Sequence, residues 1–429
     1  MRKKVNLLTM GCSKNRVDTE ILMRQLEANG FDVYYEAEKG KFDFVVINTC
    51  GFINDAKEES INIILDYAEQ KKRRRVGKIV VFGCLSQRYR ADLEKELPEV
   101  DAWFGKFDLK PMLEYFNSEY FCDLQPRRII TTPSHYAYVK IAEGCNRTCS
   151  FCAIPHITGG YKSRPMDDIL QECRQLVQSG VKEIILIAQD LSFYGADLYK
   201  KPSLAELMDK IADIEGLKWL RIHYTYPAHF PMDVLDVMAR HDNICKYLDI
   251  ALQHISDHML TQMRRNISKQ ETYDLVARFR ERVPGLVLRT TLLVGHPDET
   301  DEDFAELVEF VSKTRFDRLG VFTYSNEEDT FAYKNYTDNV PENVKQSRME
   351  KIMEIQQQIS LEINEEKIGS VIDVLIDRQE GEFYVGRSQG DSPEVDGEVL
   401  VSADELPVGE FVKVRVTDAD EFDLYAELA

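Results

Sequence analysis

Three cysteines in the stretch EGCNRTCSFCAIP have the residue type and the spacing that could hold an iron–sulfur cluster. Cys145, Cys149 and Cys152 form C-x3-C-x2-C directly after the apolar run YAYVKIAE. Three thiolates on one loop can bind three irons of a 4Fe-4S cluster and leave the fourth iron without a protein ligand. Because structural metal sites are usually closed, an open iron indicates chemistry. A zinc site that takes His156 as its fourth ligand is the alternative.

Three further cysteines, Cys12, Cys50 and Cys84, each follow the apolar run of a predicted strand. The runs are VNLLTMG, FVVINT and IVVFG. Because the carboxyl ends of parallel strands share one edge of an open sheet, we expect these thiols to converge. Convergent thiolates favour a second cluster, also one protein ligand short, over three unrelated buried cysteines. The other cysteines lack such positions and are predicted not to be ligands: Cys122, Cys173 and Cys245.

Alternation of apolar strands with helix-like stretches predicts the α/β fold class. The first segment indicates a small domain with a parallel sheet, and six strand–helix units after it suggest an incomplete (β/α)6 barrel. Short β-like runs after a long helix predict a small antiparallel β-barrel. The predicted segments are an N-terminal α/β domain (1–121), a linker (122–135), the central barrel (136–340), a connecting helix (341–366) and the C-terminal barrel (367–429).

Polar residues stand at the carboxyl ends of the six central strands, where a barrel of this kind forms its active site. Ligand contacts and satisfied polar groups are equal alternatives for them, so we assign none of them to a site. They are Gln189, Asp190, His223, Gln253, His254, His296 and Tyr324.

The formal charge of −20 argues against a general nucleic-acid binder, because phosphate contacts need clustered Lys and Arg. It favours a basic protein partner. The basic run KKRRR (71–75) closes a segment that begins with acidic residues. We therefore interpret the run as a solvated helix end rather than as an RNA-contacting patch.

No apolar stretch approaches the length of a membrane span, so no membrane association is expected. The start MRKKVNLLTMGC mimics a lipoprotein signal, but its apolar core is only about seven residues long and basic residues follow it. We expect a first strand there and a cytoplasmic protein. Nine cysteines in such a chain indicate metal or redox chemistry rather than disulfides.

The cysteine motif, with the aromatic Phe151 just before its last cysteine, resembles the radical S-adenosylmethionine (SAM) superfamily. The resemblance covers the central domain. It implies that the cluster of Cys145, Cys149 and Cys152 binds SAM at its open iron, and that Phe151 belongs to the cofactor site. In that superfamily an electron from the reduced cluster cleaves SAM to methionine and a 5′-deoxyadenosyl radical.

The whole chain resembles the radical SAM methylthiotransferases. MGCSKNRVDTE, NTCGFINDAKEES and GCLSQRY are similar to that family's first domain, and KSRP and RTTLLVGHPDETDEDF are similar to its core. The C-terminal barrel resembles the TRAM module. One departure is visible: the family commonly has Gly-Phe-Pro-Gly-Glu-Thr, and here His296 and Asp298 replace the Phe and the second Gly.

The resemblance also implies a role for the N-terminal cysteines. Cys12, Cys50 and Cys84 would hold an auxiliary 4Fe-4S cluster, so that the protein would carry two clusters. The auxiliary cluster would present a sulfur, methylated by another SAM, to a carbon radical of the substrate. SAM would thus serve as both methyl donor and radical source.

The family has two main branches, one acting on an adenosine of tRNA and one on the β-carbon of an aspartate in small-subunit ribosomal protein S-twelve. Residues 367–429 carry 5 Lys and Arg against 16 Asp and Glu, a net charge of −11. Such a domain repels phosphate and attracts a basic protein. The stretch SPEVDGEV (392–399) also resembles the ribosomal-protein branch.

We therefore expect ribosomal protein S-twelve, or the small ribosomal subunit, as the substrate partner. A low-potential electron donor and a sulfur donor are also implied, and no tight nucleic-acid binding is expected. A tRNA adenosine methylthiotransferase is the alternative within the family. A non-catalytic iron–sulfur electron carrier is the alternative of another class. It would account for two clusters but not for an open iron at a barrel rim, and it predicts no SAM binding.

Overall fold

The computed structural model describes residues 2–124 and 127–429. Met1 and, within the predicted linker 122–135, residues 125–126 lie outside the described residues. The chain forms two compact units. The N-terminal unit runs up to Thr132 and includes Tyr138–Arg147 and Ala153–Gln175, whereas the C-terminal unit comprises Pro133–Ala137, Thr148–Cys152 and Leu176–Ala429.

The N-terminal unit contains a parallel sheet with the strand order β2-β1-β3-β4-β5. Its strands are β1 (Lys4–Thr9), β2 (Asp32–Tyr35), β3 (Phe42–Thr49), β4 (Val76–Gly83) and β5 (Ala102–Trp103). The helices beside it are α1 (Ser13–Ala28), α2 (Asn54–Lys72), α3 (Cys84–Glu96) and α4 (Leu109–Tyr115). The predicted α/β domain with a parallel sheet is confirmed.

Strand β3 shows why its apolar run is nearly continuous. Val45 and Ile47 pack into one core with Ile64 of α2, while the alternating residue Val46 packs into a second core with Leu22 of α1. A strand covered on both faces needs apolar side chains in both directions. The sheet is therefore held between two helical layers, and only its strand ends are open to carry chemistry.

The basic run 71–75 lies at the end of α2, as predicted. Lys71 pairs with Asp101 at 2.6 Å, and Lys72 pairs with Glu69 at 2.7 Å. The acidic Asp55 lies in the first turn of the same helix. This charge order complements the helix dipole.

Six strands follow the N-terminal sheet, as predicted for the incomplete barrel, and the pairs β9–β10, β11–β12 and β12–β13 are parallel. They are arranged as a sheet of order β10-β9-β6 and a sheet of order β11-β12-β13, with bridges Leu220↔Ile244 and Thr225↔Ile250 near the junction. The strands from here to the core's end are β6 (Tyr136–Lys140), β7 (Ala142–Glu143), β8 (Lys162–Ser163), β9 (Glu183–Ile187), β10 (Trp219–Ile222), β11 (Tyr247–Gln253), β12 (Val287–Val294) and β13 (Arg318–Thr323). Strands β7 and β8 pair separately as an antiparallel hairpin.

Helices alternate with these strands. They are α5 (Ile154–Thr158), α6 (Met166–Gln178), α7 (Leu204–Ala212), α8 (Asp233–Arg240), α9 (Asp257–Gln262), α10 (Lys269–Arg282), α11 (Asp301–Thr314), α12 (Phe331–Asn335) and the long α13 (Glu342–Glu365). Short 3-10 turns cover Cys122–Leu124 and Leu191–Phe193. In the part of the chain that the structure describes, we find no helix with the length and apolar character of a membrane span.

Helix α11 begins immediately after the loop GHPDET, and a capping box fixes its first residue. Thr300 accepts from the backbone N–H of Asp303, and the Asp303 carboxylate accepts from the backbone N–H of Thr300. Reciprocal capping satisfies two backbone donors that the helix start otherwise leaves unpaired. The end of β12 and the start of α11 are therefore held in a defined loop.

The C-terminal segment closes into a small barrel of order β14-β15-β16-β18-β17. Its strands are β14 (Val371–Glu380), β15 (Phe383–Arg387), β16 (Val399–Ser402), β17 (Phe411–Ala419) and β18 (Leu424–Leu428). All five predicted β-like runs are thus strands. Pairing is antiparallel except between β16 and β18, which are parallel. The sequence predicted a wholly antiparallel barrel, because the positions of the strands do not show which strands pair.

Candidate functional site

Three cysteines of the N-terminal unit lie at the carboxyl ends of adjacent strands. Cys12 follows β1 and precedes α1, Cys50 directly follows β3, and Cys84 is the first residue of α3 after β4. Strand β3 lies between β1 and β4 in the sheet. The sheet topology therefore gives the three thiols the common edge that the sequence predicted.

One side chain, that of Asn15, connects all three strand ends. Its Nδ2 donates to the carbonyl oxygen of Met10 at 3.0 Å and to that of Thr49 at 3.3 Å. The Sγ of Cys84 lies 3.6 Å from Asn15 Oδ1. Asn48 in turn donates to the Asn15 carbonyl oxygen at 2.8 Å. Sequence reasoning missed this role, because Asn15 lies beyond the strand end on helix α1.

Gly11 allows the first loop to approach Cys50 closely. Its φ is +85°, and a Cβ placed there would lie 2.7 Å from the Cβ and 2.9 Å from the Sγ of Cys50. Both the left-handed backbone and the lack of space require glycine. This close approach of the turn brings the next residue, Cys12, near Cys50.

The three thiols differ in their electrostatic environment and therefore in their pKa. Burial raises the pKa of Cys12, but the charges of Lys14 and Lys106 and two backbone N–H groups outweigh it, so that the pKa lies below its ordinary value. Burial and the charge of Cys12 raise the pKa of Cys50, and the same two causes raise that of Cys84 to about 12 although the charge of Lys106 lowers it. The thiols are therefore close enough to interact, and Cys12 is the one most readily present as a thiolate.

Three buried polar oxygens near these cysteines have no hydrogen-bond partner among the described residues. They are Ser13 Oγ, Asn48 Oδ1 and Ser86 Oγ. Each belongs to a residue within two positions of Cys12, Cys50 or Cys84. Unsatisfied buried polar groups in a folded protein call for an explanation such as a bound group. The hydroxyls of Ser13 and Ser86 can donate to the sulfur of such a group, whereas Asn48 Oδ1 can only accept. Together with the three thiols, the two hydroxyls fit an iron–sulfur cluster at this edge.

The loop that carries the second cysteine set belongs partly to each unit. Within the N-terminal unit, the Cys145 backbone N–H donates to the Gly159 carbonyl at 3.2 Å, and the Arg147 backbone N–H donates to Cys145 Sγ at 3.4 Å. Gly144 before it has φ +79°, and a Cβ there would overlap the carbonyl oxygen of Gly160. The glycine in EGC is therefore required by backbone approach.

Within the C-terminal unit, Cys149 lies beside a buried arginine. Arg265 Nη1 donates to Cys149 Sγ at 3.1 Å, and its guanidinium lies 4.2 Å from the centre of the Tyr226 ring. Tyr226 Oη lies 3.7 Å from the same sulfur. Burial lowers the pKa of Arg265, but the charges of Cys149 and Tyr226 and the hydrogen bond to Cys149 raise it overall. Arg265 and Tyr226 were not predicted, because neither occupies a motif position.

Ser150 anchors the cysteine loop to the barrel through three hydrogen bonds. Its backbone N–H donates to the Met263 carbonyl at 3.1 Å, and its carbonyl accepts from the Ala332 N–H at 2.7 Å. Its Oγ lies 3.0 Å from Nε2 of His296. Phe151 packs partly buried against a cluster that includes Met263 and Ala332.

The His296 ring has a defined protonation pattern. Its Nδ1 lies 3.1 Å from the Pro297 carbonyl oxygen, which can only accept, so Nδ1 carries the proton and Nε2 accepts from Ser150. Burial lowers the pKa of His296 to about 4, so the ring is neutral near pH 7. The rings of Phe151 and His296 meet edge to face at 6.4 Å. The histidine that departs from the family pattern thus contacts the cysteine loop directly.

The second departure is accommodated by the backbone. Asp298 has φ +66°, a left-handed conformation that a glycine would adopt freely. Its N–H donates to Asn339 Oδ1 at 2.9 Å, and Asn339 Nδ2 donates to Asp298 Oδ1 at 2.7 Å. These two bonds hold the strained residue in place.

Several of the polar strand-end residues have protein partners. His223 Nε2 lies 2.7 Å from Ser392 Oγ, and His254 Nε2 lies 3.1 Å from Glu299 Oε1. Asp190 accepts from the Ser192 N–H at 2.9 Å. These side chains therefore have hydrogen-bond partners within the protein, and we assign none of them to the site.

Among the described residues, no group of three His, Cys, Asp or Glu side chains is placed to hold a single metal ion. A single ion needs its ligands around one point, whereas a cluster binds each thiolate to a different iron. His156, the fourth ligand of the zinc alternative, is exposed on α5. Of the cysteines predicted not to be ligands, Cys122 is exposed, and Cys173 and Cys245 are buried.

The stretch SPEVDGEV (392–399) overlaps a loop that docks the small barrel on the central one. We call residues 388–396 the docking loop. Arg221 Nη1 donates to the Gln389 carbonyl at 2.7 Å, Arg318 binds Asp391 at 2.6 Å, and Tyr247 Oη binds Asp396 at 2.6 Å. Arg221, Tyr247 and Arg318 lie on β10, β11 and β13. The loop is therefore held by buried hydrogen bonds and ion pairs.

The remaining charge of the small barrel is mostly exposed and acidic. The exposed basic side chains of residues 367–429 are Arg378, Lys413 and Arg415. The exposed acidic ones are Asp373, Glu380, Glu382, Glu394, Asp404, Glu405, Glu410, Asp418 and Glu427. Asp391 and Asp396 are not part of this surface because Asp391 is buried and Asp396 is half-buried. The exposed surface of the small barrel therefore has the acidic character that the sequence predicted.

Comparison with known families agrees with the three-part organisation. Residues 4–105 match the model described as Uncharacterized protein family UPF0004, residues 139–311 match the Radical SAM superfamily, and residues 368–429 match the TRAM domain. Fold and cysteine loop together define a radical SAM enzyme, a class that binds an iron–sulfur cluster and SAM.

Curated relatives narrow this class. The protein named ribosomal protein uS12 methylthiotransferase RimO from Parabacteroides distasonis is 56% identical over 430 residues, covering 100% of both chains. Those so named from Bacteroides thetaiotaomicron and Cytophaga hutchinsonii are 56% and 51% identical, covering 100% of this chain and 98% of theirs. The chain belongs to the RimO family of radical SAM methylthiotransferases. The expected enzyme class is confirmed, and the electron-carrier alternative is wrong.

Solved structures share the fold at low identity. The radical SAM methyltransferase TsrM from Kitasatospora setae, solved with cobalamin and a [4Fe-4S] cluster bound, has a TM-score of 0.54 and 14% identity, covering 90% of this chain and 77% of its own. The radical SAM enzyme OxsB, solved with aqua-cobalamin and SAM, has a TM-score of 0.51 and 11% identity, covering 84% and 62%. These similarities concern the fold alone.

Proposed function

We propose that this chain is a ribosomal protein uS12 methylthiotransferase, which adds a methylthio group to the β-carbon of an aspartate of that protein. The observation that carries the proposal is identity of 51–56% along the full chain to relatives that bear this name. The relatives' name also favours the ribosomal protein over the tRNA alternative.

Two cysteine sets would hold the cofactors. Cys145, Cys149 and Cys152 would bind the 4Fe-4S cluster that takes SAM, and Cys12, Cys50 and Cys84 would bind a second cluster. When bound, these groups supply the electron, the hydrogen-abstracting radical and the methylated sulfur that an unactivated C–H bond requires. Two clusters, rather than one, are part of the proposal.

The protein's own residues orient the SAM-binding cysteine loop. Ser150 fixes the loop backbone on Met263 and Ala332, and His296 holds the Ser150 hydroxyl. Arg265 places its positively charged guanidinium beside the sulfur of Cys149. A cationic donor stabilises a thiolate and the negative charge of a cluster bound to it.

The small barrel supports a protein substrate. Its exposed surface carries many more acidic than basic side chains. Such a surface repels nucleic-acid phosphates, whereas it steers and orients a protein that carries the basic residues needed to bind ribosomal RNA. The docking loop ties this surface to the central barrel through Asp391 and Asp396.

An anaerobic competition tests the proposal. The reconstituted protein, SAM, reductant and sulfide are offered a loop peptide of uS12 together with unmodified tRNA, and mass spectrometry measures methylthio groups on each. The proposal predicts modification of the peptide alone. Modification of tRNA alone would overturn the substrate and retain the chemistry. Intact SAM in all reactions would overturn the reaction itself.

A further inference from the structure

A buried lysine from outside the cysteine motifs lies beside the N-terminal thiols. The side chain of Lys106 is 3% exposed. Its Nζ lies 2.9 Å from Asp18 Oδ2, 3.4 Å from Asn15 Oδ1 and 3.9 Å from Glu143. Asn15 is the residue that contacts Cys84 and connects the three strand ends. Lys106 therefore places an ammonium at the second layer of the cysteine site.

A second lysine, Lys140, balances the acidic residues of the same network. Its Nζ binds the other oxygen of Asp18, and it binds Glu143 at 2.7 Å. Two buried cations thus face two carboxylates. The network is thus balanced in charge, and Lys106 is its member whose ammonium also lies 3.4 Å from Asn15 Oδ1. Loss of Lys106 would therefore leave a net negative charge beside the residue that contacts Cys84.

The acidic neighbours of Lys106 favour its charged form. Burial lowers the pKa of Lys106, but the charge of Asp18, the charge of Glu143 and the hydrogen bond to Asp18 raise it above its ordinary value. The side chain is therefore an ammonium near neutral pH.

We propose that Lys106 is a positioning residue that supplies the positive charge at the Cys12, Cys50 and Cys84 site and favours anionic sulfur ligands there. This inference rests on the proposed function, because it requires that these cysteines hold a cluster. A fixed positive charge stabilises the reduced, more negative form of a cluster and so raises its midpoint potential. The same charge favours a thiolate or hydrosulfide over a neutral sulfur ligand.

The experiment uses the full chain with Cys145, Cys149 and Cys152 replaced by Ala, so that iron reports only the N-terminal site. Midpoint potentials are measured by EPR-monitored titration in this background and in its Lys106→Met, Lys106→Arg and Lys140→Met variants. We expect Lys106→Met to shift the equilibrium about tenfold toward the oxidised cluster, about 59 mV for one electron. Lys106→Arg keeps the charge and restores the potential. Lys140→Met, the matched control, shifts the equilibrium less than about threefold.

A second readout uses defined ligands. Methanethiol, which binds iron as its thiolate, and neutral dimethyl sulfide are titrated separately, and the change in the cluster spectrum gives each affinity. Lys106→Met should weaken methanethiolate binding about tenfold and leave dimethyl sulfide unchanged.

Equal potentials in Lys106→Met and its parent would overturn the inference, as would an equal shift in Lys140→Met. If Lys106→Met loses its iron, the comparison of Lys106→Arg with Lys106→Gln decides, and identical potentials in those two would contradict it. Absence of iron in the parent itself would instead overturn the second cluster of the proposed function.

Discussion

The two cysteine sets are built in opposite ways. Cys12, Cys50 and Cys84 come from three strand ends and are brought together by sheet order and by Asn15. The second set lies within eight consecutive residues, 145–152, and is held by contacts around Ser150 and Arg265. The first set exists only in the folded sheet, whereas the second is given by the local chain.

The two sets also differ in how a positively charged side chain contacts them. Beside the strand-end set, the buried Lys106 contacts Asn15 and Asp18, and Asn15 in turn contacts Cys84. In the loop set, the guanidinium of Arg265 contacts Cys149 directly. In both sets the charge comes from outside the cysteine motif, since Lys106 lies 22 residues after Cys84 and Arg265 lies 116 residues after Cys149. Substitutions that disrupt one set at a time test this difference.

The largest effect is expected from removing one cysteine of each set. Cys145→Ala should abolish formation of 5′-deoxyadenosine, because the SAM-binding cluster loses a ligand. Cys50→Ala should abolish methylthiolation while SAM cleavage continues. Both products are measured by mass spectrometry, with Cys173→Ala as the buried control that changes neither. Full methylthiolation by Cys50→Ala would show that the strand-end set is not the sulfur site.

Acid should destabilise the loop set through His296. The unfolded histidine binds a proton below pH 6.5, whereas the buried one resists until about pH 4. The unfolded state thus binds more protons in this window, and the free energy of unfolding falls as pH falls, by up to about 3 kcal/mol. His296→Phe should lose this dependence in denaturant titrations at pH 7 and pH 4.5. The exposed His229→Asn control should retain it, and equal slopes in all three proteins would contradict the assignment.

Asn15→Ala should weaken the strand-end set and spare the loop set. The change leaves the carbonyl groups of Met10 and Thr49 without their donor, at a cost of about 2 kcal/mol in the free energy of unfolding. Iron bound in the background that lacks Cys145, Cys149 and Cys152 should fall, while iron bound without Cys12, Cys50 and Cys84 should not. Asn29→Ala, a helix-end asparagine on the same α1 segment, serves as the control. Normal iron in both backgrounds would show that Asn15 is not needed.

The smallest effect concerns the acidic surface of the small barrel. Replacing Glu382, Asp404 and Glu405 by their amides should slow association with a uS12 peptide several-fold at low salt and have no effect at high salt. An equal number of amide substitutions on α13, at Glu350, Glu354 and Glu365, is the matched control. Association that is indifferent to the barrel substitutions would contradict the role of this surface.

Much of the fold was predictable from the sequence because its strands are apolar runs covered on both faces. Strands β2 and β5 were missed, since β2 is mostly half-exposed and β5 has only two residues. The parallel β16–β18 pair was missed because strand pattern does not encode which neighbours pair. Element positions follow from local sequence, whereas pairing follows from closure of the whole barrel.

The cysteines themselves were predictable, but their supporting residues were not. Cys12, Cys50 and Cys84 share one signal, the end of an apolar run, which parallel topology converts into proximity. Lys106 and Arg265 lie in turns without periodicity and act only through tertiary contacts. The departure at His296 was visible in the sequence, and a polar partner in the cysteine loop, Ser150, was the available signal for its role.

The central claim is that the protein holds two separate clusters, and iron analysis with Mössbauer spectroscopy tests it most directly. The wild-type protein is compared with a variant lacking Cys12, Cys50 and Cys84 and with one lacking Cys145, Cys149 and Cys152. We predict about eight irons in the wild type and about four in each variant, all as 4Fe-4S clusters. A variant without Cys145, Cys149 and Cys152 that binds no iron would contradict the second cluster.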